Sequence, residues 1–328
     1  MTRTLRSASI VLLGAVLLAS CTTEQQSDPG PTLSSTTSTT TTTIAETTTT
    51  TAPPETTEPP ATDASTTTLP AGPAAVDVSM LVGGAEGGWL HLGSWAVDHW
   101  QEPLDANGLP VASPIGVGST MTVTNLAGEA AGITGALVES CFDGRTGLTI
   151  DTPVAAPDPP GFGYNAVALT GNTWTLKPRP VADILSGPTT YRDLGMAVLA
   201  NEAIDASLGT VGQVVVTDLD GDGDDEAIVA FDHIQPSAGP GAVGDFAALF
   251  LVDADTKATS PVFSSVVTAD DAEFPVITNF RVLDVVDLNG DGKMEVLAHL
   301  WYYEGASVAL LEYDGTTLTQ VLTTGCGA

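Results

Sequence analysis

Short apolar runs rich in β-branched residues alternate with turn-forming residues through the second half of the chain. Such runs are typical of β-strands. One unit has strand-like runs at 213–217, 227–230, 247–252 and 262–266. A second unit repeats them in the same order at 282–286, 296–303, 307–311 and 318–322. The repetition predicts two copies of a four-strand antiparallel meander, as in a propeller blade.

The region 76–186 also has strand-like runs, separated by many turns. The candidates are 120–124, 135–139, 165–169 and 173–176. The turn sequence at 170–172 predicts that the last two of these runs form a hairpin. We therefore expect a mainly β fold, either an incomplete propeller or a two-lobed β structure. Residues 76–186 and 187–328 form two domains or a single domain 76–328.

One stretch has a convincing helical pattern. Apolar residues recur at helical spacing from Tyr191 to Val198. Thr190 and Asp193 have the spacing of a capping box, with aspartate as the acidic member. We expect one helix near 190–204 that packs on a sheet and carries no functional site.

The first 21 residues have the pattern of a targeting segment. Arg3 and Arg6 precede an apolar run at 10–18 that is too short to span a bilayer. The run ends in Leu18-Ala19-Ser20-Cys21, which resembles a bacterial lipobox. The resemblance implies cleavage before Cys21, a lipid on its thiol and a mature protein anchored to the outside of the cell membrane. An ordinary secretory signal is the alternative.

Residues 22–75 have low complexity and are dominated by threonine, with interspersed prolines. Such a composition buries too little apolar surface to offset the entropy of ordering the chain. We expect a disordered stalk, which is either O-glycosylated or an unmodified spacer. No later run approaches the length of a transmembrane helix.

The chain carries 40 acidic and 9 basic residues, a net charge of −31. This excess repels nucleic-acid phosphates and anionic lipid surfaces and attracts cations. We therefore expect no nucleic-acid partner. Solubility or adaptation to salt would also account for much of the charge.

Each predicted meander contains a loop with the pattern D-x-[DN]-x-D-G-x-x-E. Calcium takes six to eight oxygen ligands, and this spacing turns several oxygens toward one point. The predicted ligands are Asp218, Asp220, Asp222, the carbonyl of Asp224 and Glu226 in the first loop. In the second loop they are Asp287, Asn289, Asp291, the carbonyl of Lys293 and Glu295. The alternative is a pair of acidic turns that bind no metal.

An EF-hand does not fit either loop. It requires a glutamate at position 12 and helices on both sides. Position 12 is Val229 in the first loop and Ala298 in the second, and the flanking segments are strand-like. Residues 210–328 instead resemble the FG-GAP and VCBS repeat families, in which a DxDxDGxxD loop joins two strands of a propeller blade. The resemblance implies two Ca²⁺ sites, and the first should bind more tightly because its ligands carry more charge.

Cys141 and Cys326 remain once Cys21 is assigned to lipid. Outside the cytoplasm, two remaining cysteines predict a disulfide. Two buried free thiols are the alternative.

An aromatic segment contains residues that could carry a second function. It comprises Trp89, His91, Trp95, Asp98, His99 and Trp100. Exposed aromatic rings could stack on sugars, and the histidines could act with Asp98 in metal binding or acid–base chemistry. Packing at the edge of a core is the alternative, and no HExxH or GxSxG motif occurs in the sequence.

Together these features predict a membrane-anchored, extracytoplasmic, calcium-binding interaction module without catalytic residues. Its partner would be an extracellular protein or a glycan. Many proteins with similar repeats act in adhesion or recognition. The alternatives are an extracellular hydrolase of glycans or phosphoesters and a purely structural envelope lipoprotein.

Overall fold

The computed structural model describes residues 77–84, 88–104, 113–141, 145–154, 163–184, 188–235, 240–253, 255–271 and 273–327. All of them belong to one compact unit, Thr67–Ala328. The predicted signal peptide, Cys21 and the predicted stalk lie outside the described residues. Within the described part of the chain, no helix is long and apolar enough to cross a membrane.

Seven strands form the first sheet, sheet 1. They are β1 (Val78–Gly83), β2 (Leu90–Ala96), β3 (His99–Gln101), β4 (Thr120–Asn125), β5 (Gly128–Glu139), β6 (Thr146–Asp151) and β7 (Ala166–Thr170). Their order in the sheet is β3-β2-β1-β7-β4-β5-β6. Trp89 and Leu148 exchange backbone hydrogen bonds of 2.7 and 3.0 Å. Because these bonds join the start of β2 to β6 at the opposite edge, the sheet curls into a half-barrel.

The predicted hairpin with a strand at 173–176 is wrong. β7 pairs with β1 on one side and with β4 on the other, so neither of its edges is free for a hairpin partner. Residues 173–176 instead leave the sheet in an irregular conformation. Together with the residues up to 180, they contact both acidic loops.

Two further sheets contain the predicted meanders. Sheet 2 consists of β8 (Ala182–Ile184), β9 (Thr210–Thr217), β10 (Glu226–His233), β11 (Phe246–Asp253) and β12 (Thr259–Val266). Sheet 3 consists of β13 (Asn279–Val286), β14 (Glu295–Tyr302), β15 (Gly305–Tyr313) and β16 (Leu318–Cys326). Neighbouring strands are antiparallel and follow the chain order. The predicted mainly β fold with repeated four-strand meanders is therefore confirmed, and each acidic loop joins the first two strands of a meander.

Sheet 3 lies between the other two sheets. On β14, Val296 and Ala298 pack in a core shared with sheet 2, whereas Leu297 packs in a core shared with sheet 1. On β15, Ala309 faces sheet 2 and Leu310 faces sheet 1. Because successive side chains of a strand point to opposite faces, a strand buried on both faces has a continuous apolar run. This arrangement explains why the apolar runs of sheet 3 do not alternate with polar residues.

The predicted helix is present but shorter than expected. Helix α1 spans Thr189–Val198 and covers the outer face of sheet 2. Its N-cap is Pro188, and no side chain caps it, so the predicted capping box does not form. Beyond α1 the chain makes tight turns with hydrogen bonds such as that from Glu202 N–H to the Leu199 carbonyl, 3.0 Å long. A Cβ atom at Gly195 would lie 2.6 Å from the Phe231 ring, so glycine allows this close approach of helix and sheet.

Cys141 and Cys326 are joined as a disulfide, with their Cα atoms 5.3 Å apart. Cys141 follows β5 and Cys326 ends β16, so the bond ties sheet 1 to sheet 3. This is the predicted pair.

Candidate metal centre

The first acidic loop gathers three carboxylates. It connects β9 to β10, and one oxygen from each of Asp218, Asp220 and Asp222 lies within 4.8 Å of the others. Calcium–oxygen distances are about 2.3–2.6 Å, so two ligands on opposite sides of one ion are about 5 Å apart. The three oxygens are therefore close enough to share one calcium ion.

The second loop, between β13 and β14, repeats the backbone geometry of the first. Its carboxylates and amide accept the corresponding backbone N–H bonds. In the first loop, Asp218 accepts from Gly221 (2.6 Å) and Gly223 (3.2 Å), Asp220 from Asp222 (3.3 Å), and Asp222 from Asp224 (2.9 Å). In the second, Asp287 accepts from Gly290 (2.7 Å) and Gly292 (3.0 Å), Asn289 from Asp291 (3.0 Å), and Asp291 from Lys293 (2.8 Å). Each acceptor oxygen keeps a second lone pair that can bind a cation.

Glycine is required twice in each loop. The φ angles are +84° at Gly221, +100° at Gly223, +78° at Gly290 and +87° at Gly292. These angles lie in the left-handed region, which glycine adopts without steric cost. The turn at position 6 was expected from the motif, and the structure adds a second such turn at position 4.

Glu226 and Glu295 begin the strands that follow the loops, and each points back across its own loop. The Glu226 Oε2 accepts from Leu219 N–H at 2.8 Å, and the Glu295 Oε2 accepts from Leu288 N–H at 2.7 Å. Glu226 is 6% exposed and Glu295 is 2% exposed. Among the ion pairs found in the described residues, none includes either glutamate. A buried carboxylate without a cationic partner must take up a proton or bind a metal ion.

The pKa values of these groups reflect that burial. Burial raises the pKa of Glu226 to about 7, the Leu219 hydrogen bond opposes the shift, and repulsion from the nearby aspartates adds to it. Burial also raises the pKa of Asp287 to about 6 and that of Glu295 well above its usual range. Without a cation, the folded loops therefore favour protonated carboxyl groups.

This preference predicts that the metal-free protein loses stability as pH rises. Glu226 and Asp287 have folded pKa values of about 7 and about 6, above their ordinary values of 4.5 and 3.8. The stability that these two groups give the metal-free protein is complete below about pH 4 and is lost as pH rises through about 6 to 7. Thermal unfolding in buffer depleted of divalent ions should show a falling melting temperature from about pH 5 to about pH 8.

The Glu226→Gln variant is the control for this pH dependence, because its side chain is neutral at every pH. Its melting temperature should fall less steeply than that of the wild type over the same range. A metal-free melting temperature that rises from about pH 5 to about pH 8 would contradict the assigned direction.

The two loops differ in their surroundings. In the first, Asp222 and Asp224 are exposed, and repulsion from Asp255 is the main cause that raises the pKa of Asp224. In the second, Asp287 and Asn289 are buried, with exposed fractions of 4% and 8%. The first loop is therefore richer in charge, whereas the second is better shielded from water.

Trp174 covers the second loop. Its indole Nε1–H donates to the Asp287 carbonyl at 2.9 Å. A Cβ atom at Gly290 would lie 3.0 Å from the indole ring, so a side chain at this position would collide with the aromatic cover.

Residues 174–180, called the bridging segment below, lie between the two loops. The Arg179 guanidinium donates from Nε to the Asp218 carbonyl, from Nη2 to the Leu219 carbonyl at 2.8 Å and from Nη1 to the Gly292 carbonyl at 2.8 Å. Sequence reasoning missed this residue. The available signal was that Lys177 and Arg179 flank Pro178 in a chain with only 9 basic residues.

The structure does not gather the aromatic segment into one open site. Trp89 is buried, and the rings of Trp95 and Trp100 pack edge to face with their centroids 4.7 Å apart. Asp98 and His99 are exposed at the β2–β3 turn, where Asp98 Oδ1 lies 3.4 Å from His99 Nδ1. This distribution is what packing at the edge of a core predicts.

Trp89 and His91 also line a cavity of about 510 Å³ together with Arg145. The lining residues are Trp89, Leu90, His91, Pro103, Leu104, Ser113, Ile115, Gly116, Val117, Leu137, Arg145, Thr146, Gly147, Leu148, Thr323 and Thr324. None of the lining residues that the structure describes is a carboxylate.

The donor set of the two loops fits a hard cation. Apart from the Asn289 amide nitrogen, the polar atoms of the candidate ligand side chains are oxygens, and calcium prefers oxygen ligands. In the second loop, the Asn289 Nδ2 is buried and has no hydrogen-bond partner in the part of the chain described here. The side-chain oxygen of Asn289 accepts the hydrogen bond from Asp291 N–H. Comparisons with protein-family models, curated proteins and solved structures found no match to this chain.

Proposed function

We propose that each acidic loop binds one Ca²⁺ ion and that the protein is a calcium-stabilised binding module without catalytic activity. The observation that carries this proposal is the convergence of Asp218, Asp220 and Asp222 within 4.8 Å, in a backbone arrangement that the second loop repeats. A chance cluster of surface acids would not be expected to recur with matched hydrogen bonds at the same position of two meanders.

The side chains that would hold the first ion are Asp218, Asp220, Asp222 and Glu226. Those that would hold the second are Asp287, Asn289, Asp291 and Glu295. The carbonyls of Asp224 and Lys293 would complete the two sets. A bound Ca²⁺ supplies two positive charges, which offset the mutual repulsion of the carboxylates. The candidate ligand residues hold the ends of the two strands that flank each loop in position.

Anchoring by lipid on Cys21 belongs to the same proposal and rests on the lipobox resemblance. The threonine-rich stalk would then hold the folded part away from the membrane. The acidic surface disfavours nucleic acid, so an extracellular protein or a glycan is the proposed partner.

Calcium should raise the melting temperature of the full chain. Sites of extracellular modules have dissociation constants of about 10⁻⁴–10⁻³ M. At a calcium concentration of about 100 times the dissociation constant, each site would add about 2.7 kcal/mol to the free energy of unfolding. For a folded unit of this size that is a shift of roughly 5–10 °C per site.

Asp218→Ala and Asp287→Ala should each remove at least half of this calcium-dependent shift, and the double variant should remove nearly all of it. Asp193→Ala, on the exposed surface of α1, is the matched control and should keep the full shift. Magnesium at equal ionic strength controls for screening by salt. If the double variant gains as much stability from calcium as the wild type, the two loops are not the calcium sites.

A further inference from the structure

Arg179 contacts both acidic loops at once. Two of its guanidinium nitrogens donate to carbonyls of the first loop, those of Asp218 and Leu219. The third donates to the Gly292 carbonyl of the second loop at 2.8 Å. The Arg179 side chain is 18% exposed, and its Nε lies 3.9 Å from Asp218 Oδ1. A planar guanidinium with five N–H groups can make such contacts in several directions from one position.

The ends of the bridging segment are fixed to the same two loops. Asp287 N–H, at the first position of the second loop, donates to the Leu176 carbonyl at 2.7 Å. Thr217 Oγ1 donates to the Pro180 carbonyl at 2.9 Å, immediately before the first loop. The segment therefore cannot shift without moving the start of one loop or the other.

The loops also touch directly. Met294 N–H, in the second loop, donates to the Leu219 carbonyl of the first loop at 2.8 Å. The same carbonyl accepts from Arg179, so Leu219 is an acceptor for both connections. The backbone conformation of the first loop is thus linked to that of the second through two hydrogen bonds at one residue.

From these contacts we infer that Arg179 is a positioning residue that couples the two calcium loops, so that an ion in one loop strengthens binding in the other. This inference rests on the proposed function. The first ion would restrain the bridging segment through these contacts, so the second ion would meet a smaller free-energy cost of ordering its loop. Coupling of this kind is reciprocal, so each loop should affect the other by the same factor.

Calcium titration calorimetry on the full chain tests the inference. Asp218→Ala leaves only the second site and Asp287→Ala leaves only the first. Each remaining site should bind Ca²⁺ about five times more weakly than the same site does in the wild type when the other loop is occupied. With Arg179→Gln added, the direct hydrogen bond from Met294 to Leu219 remains, and loss of one loop should change the affinity of the other by a clearly smaller factor.

Arg192→Gln is the matched control. Arg192 also donates to two backbone carbonyls, those of Gly209 and Ser207, but neither belongs to an acidic loop. The Arg192→Gln variant should be less stable than the wild type and should keep the full coupling between the two calcium sites. With that result, lower stability alone would not explain a loss of coupling in Arg179→Gln.

The outcomes separate the inference from the proposed function. Two sites with independent affinities in the wild type would overturn the coupling and leave calcium binding intact. Coupling of unchanged size in Arg179→Gln would overturn the role of Arg179. Absence of both calcium heat and a calcium-dependent shift of melting temperature in the wild type would overturn both. If Arg179→Gln fails to fold, Arg179→Lys replaces it, and a lysine ammonium that cannot reach both loops should likewise weaken the coupling.

Discussion

Replacing Asp284 by alanine should lower the free energy of unfolding by about 3–5 kcal/mol, because it breaks a buried ion pair and leaves a cation behind. Asp284 is fully buried in β13, and its Oδ1 lies 2.8 Å from the Lys177 ammonium. Its Oδ2 accepts a 2.8 Å hydrogen bond from Thr124 Oγ1. Burial raises the pKa of Asp284 to about 6 even though Lys177 opposes the shift. Chemical denaturation at about pH 8 with calcium present measures the loss with the carboxylate ionised.

The control is the double variant Lys177→Met with Asp284→Leu. It removes both charges and keeps apolar volume, so its stability should lie within about 1–2 kcal/mol of the wild type. Thr124→Ala removes one hydrogen bond to the same carboxylate and should cost about 1–3 kcal/mol. If Asp284→Ala and the double variant were equally stable, the ion pair would contribute nothing beyond packing.

Loss of the disulfide should cost about 2–5 kcal/mol. The bond joins residues 185 apart in sequence, and closing so long a loop restricts the unfolded chain strongly. In the chain-entropy treatment the effect is about 5 kcal/mol. The variant that carries both Cys141→Ala and Cys326→Ala should unfold at a lower denaturant concentration than the oxidised wild type.

Reduction provides the matched comparison for the disulfide. The wild type in a thiol reductant should approach the stability of the double variant, and the double variant itself should not respond to the reductant. Equal stability of the oxidised wild type and the double variant would show that the disulfide does not add to the free energy of unfolding.

The acidic loops were predictable because each candidate ligand set lies within one short stretch of sequence. The turns, the oxygen spacing and the flanking strands are all local properties. Arg179 was not predictable in the same way, because it reaches residues 39 and 113 positions away. A contact at that separation depends on how the sheets pack, and the sequence pattern does not encode this packing locally.

The fold shows the same division between local and distant information. The meanders follow from adjacent strands and short turns, so their order could be predicted. The strand expected at 173–176 failed because both edges of β7 are taken by β1 and β4. The helix ends at Val198, and the chain then turns toward the short 3-10 helix at Ala206–Leu208. At 173–176, tertiary pairing overrode a local preference.

The central position of sheet 3 has a consequence for how the molecule is made. One face of sheet 1 packs against sheet 3, whose strands are synthesised later, and the hydrogen bond from Thr124 to Asp284 spans 160 residues. Leu322 of β16 fills the space left by the missing side chain of Gly93 on β2. A nascent chain therefore exposes the apolar face of sheet 1 to solvent until β13–β16 have been synthesised. Completion of this core is a late, long-range event, which slows folding and favours protection of the chain during synthesis.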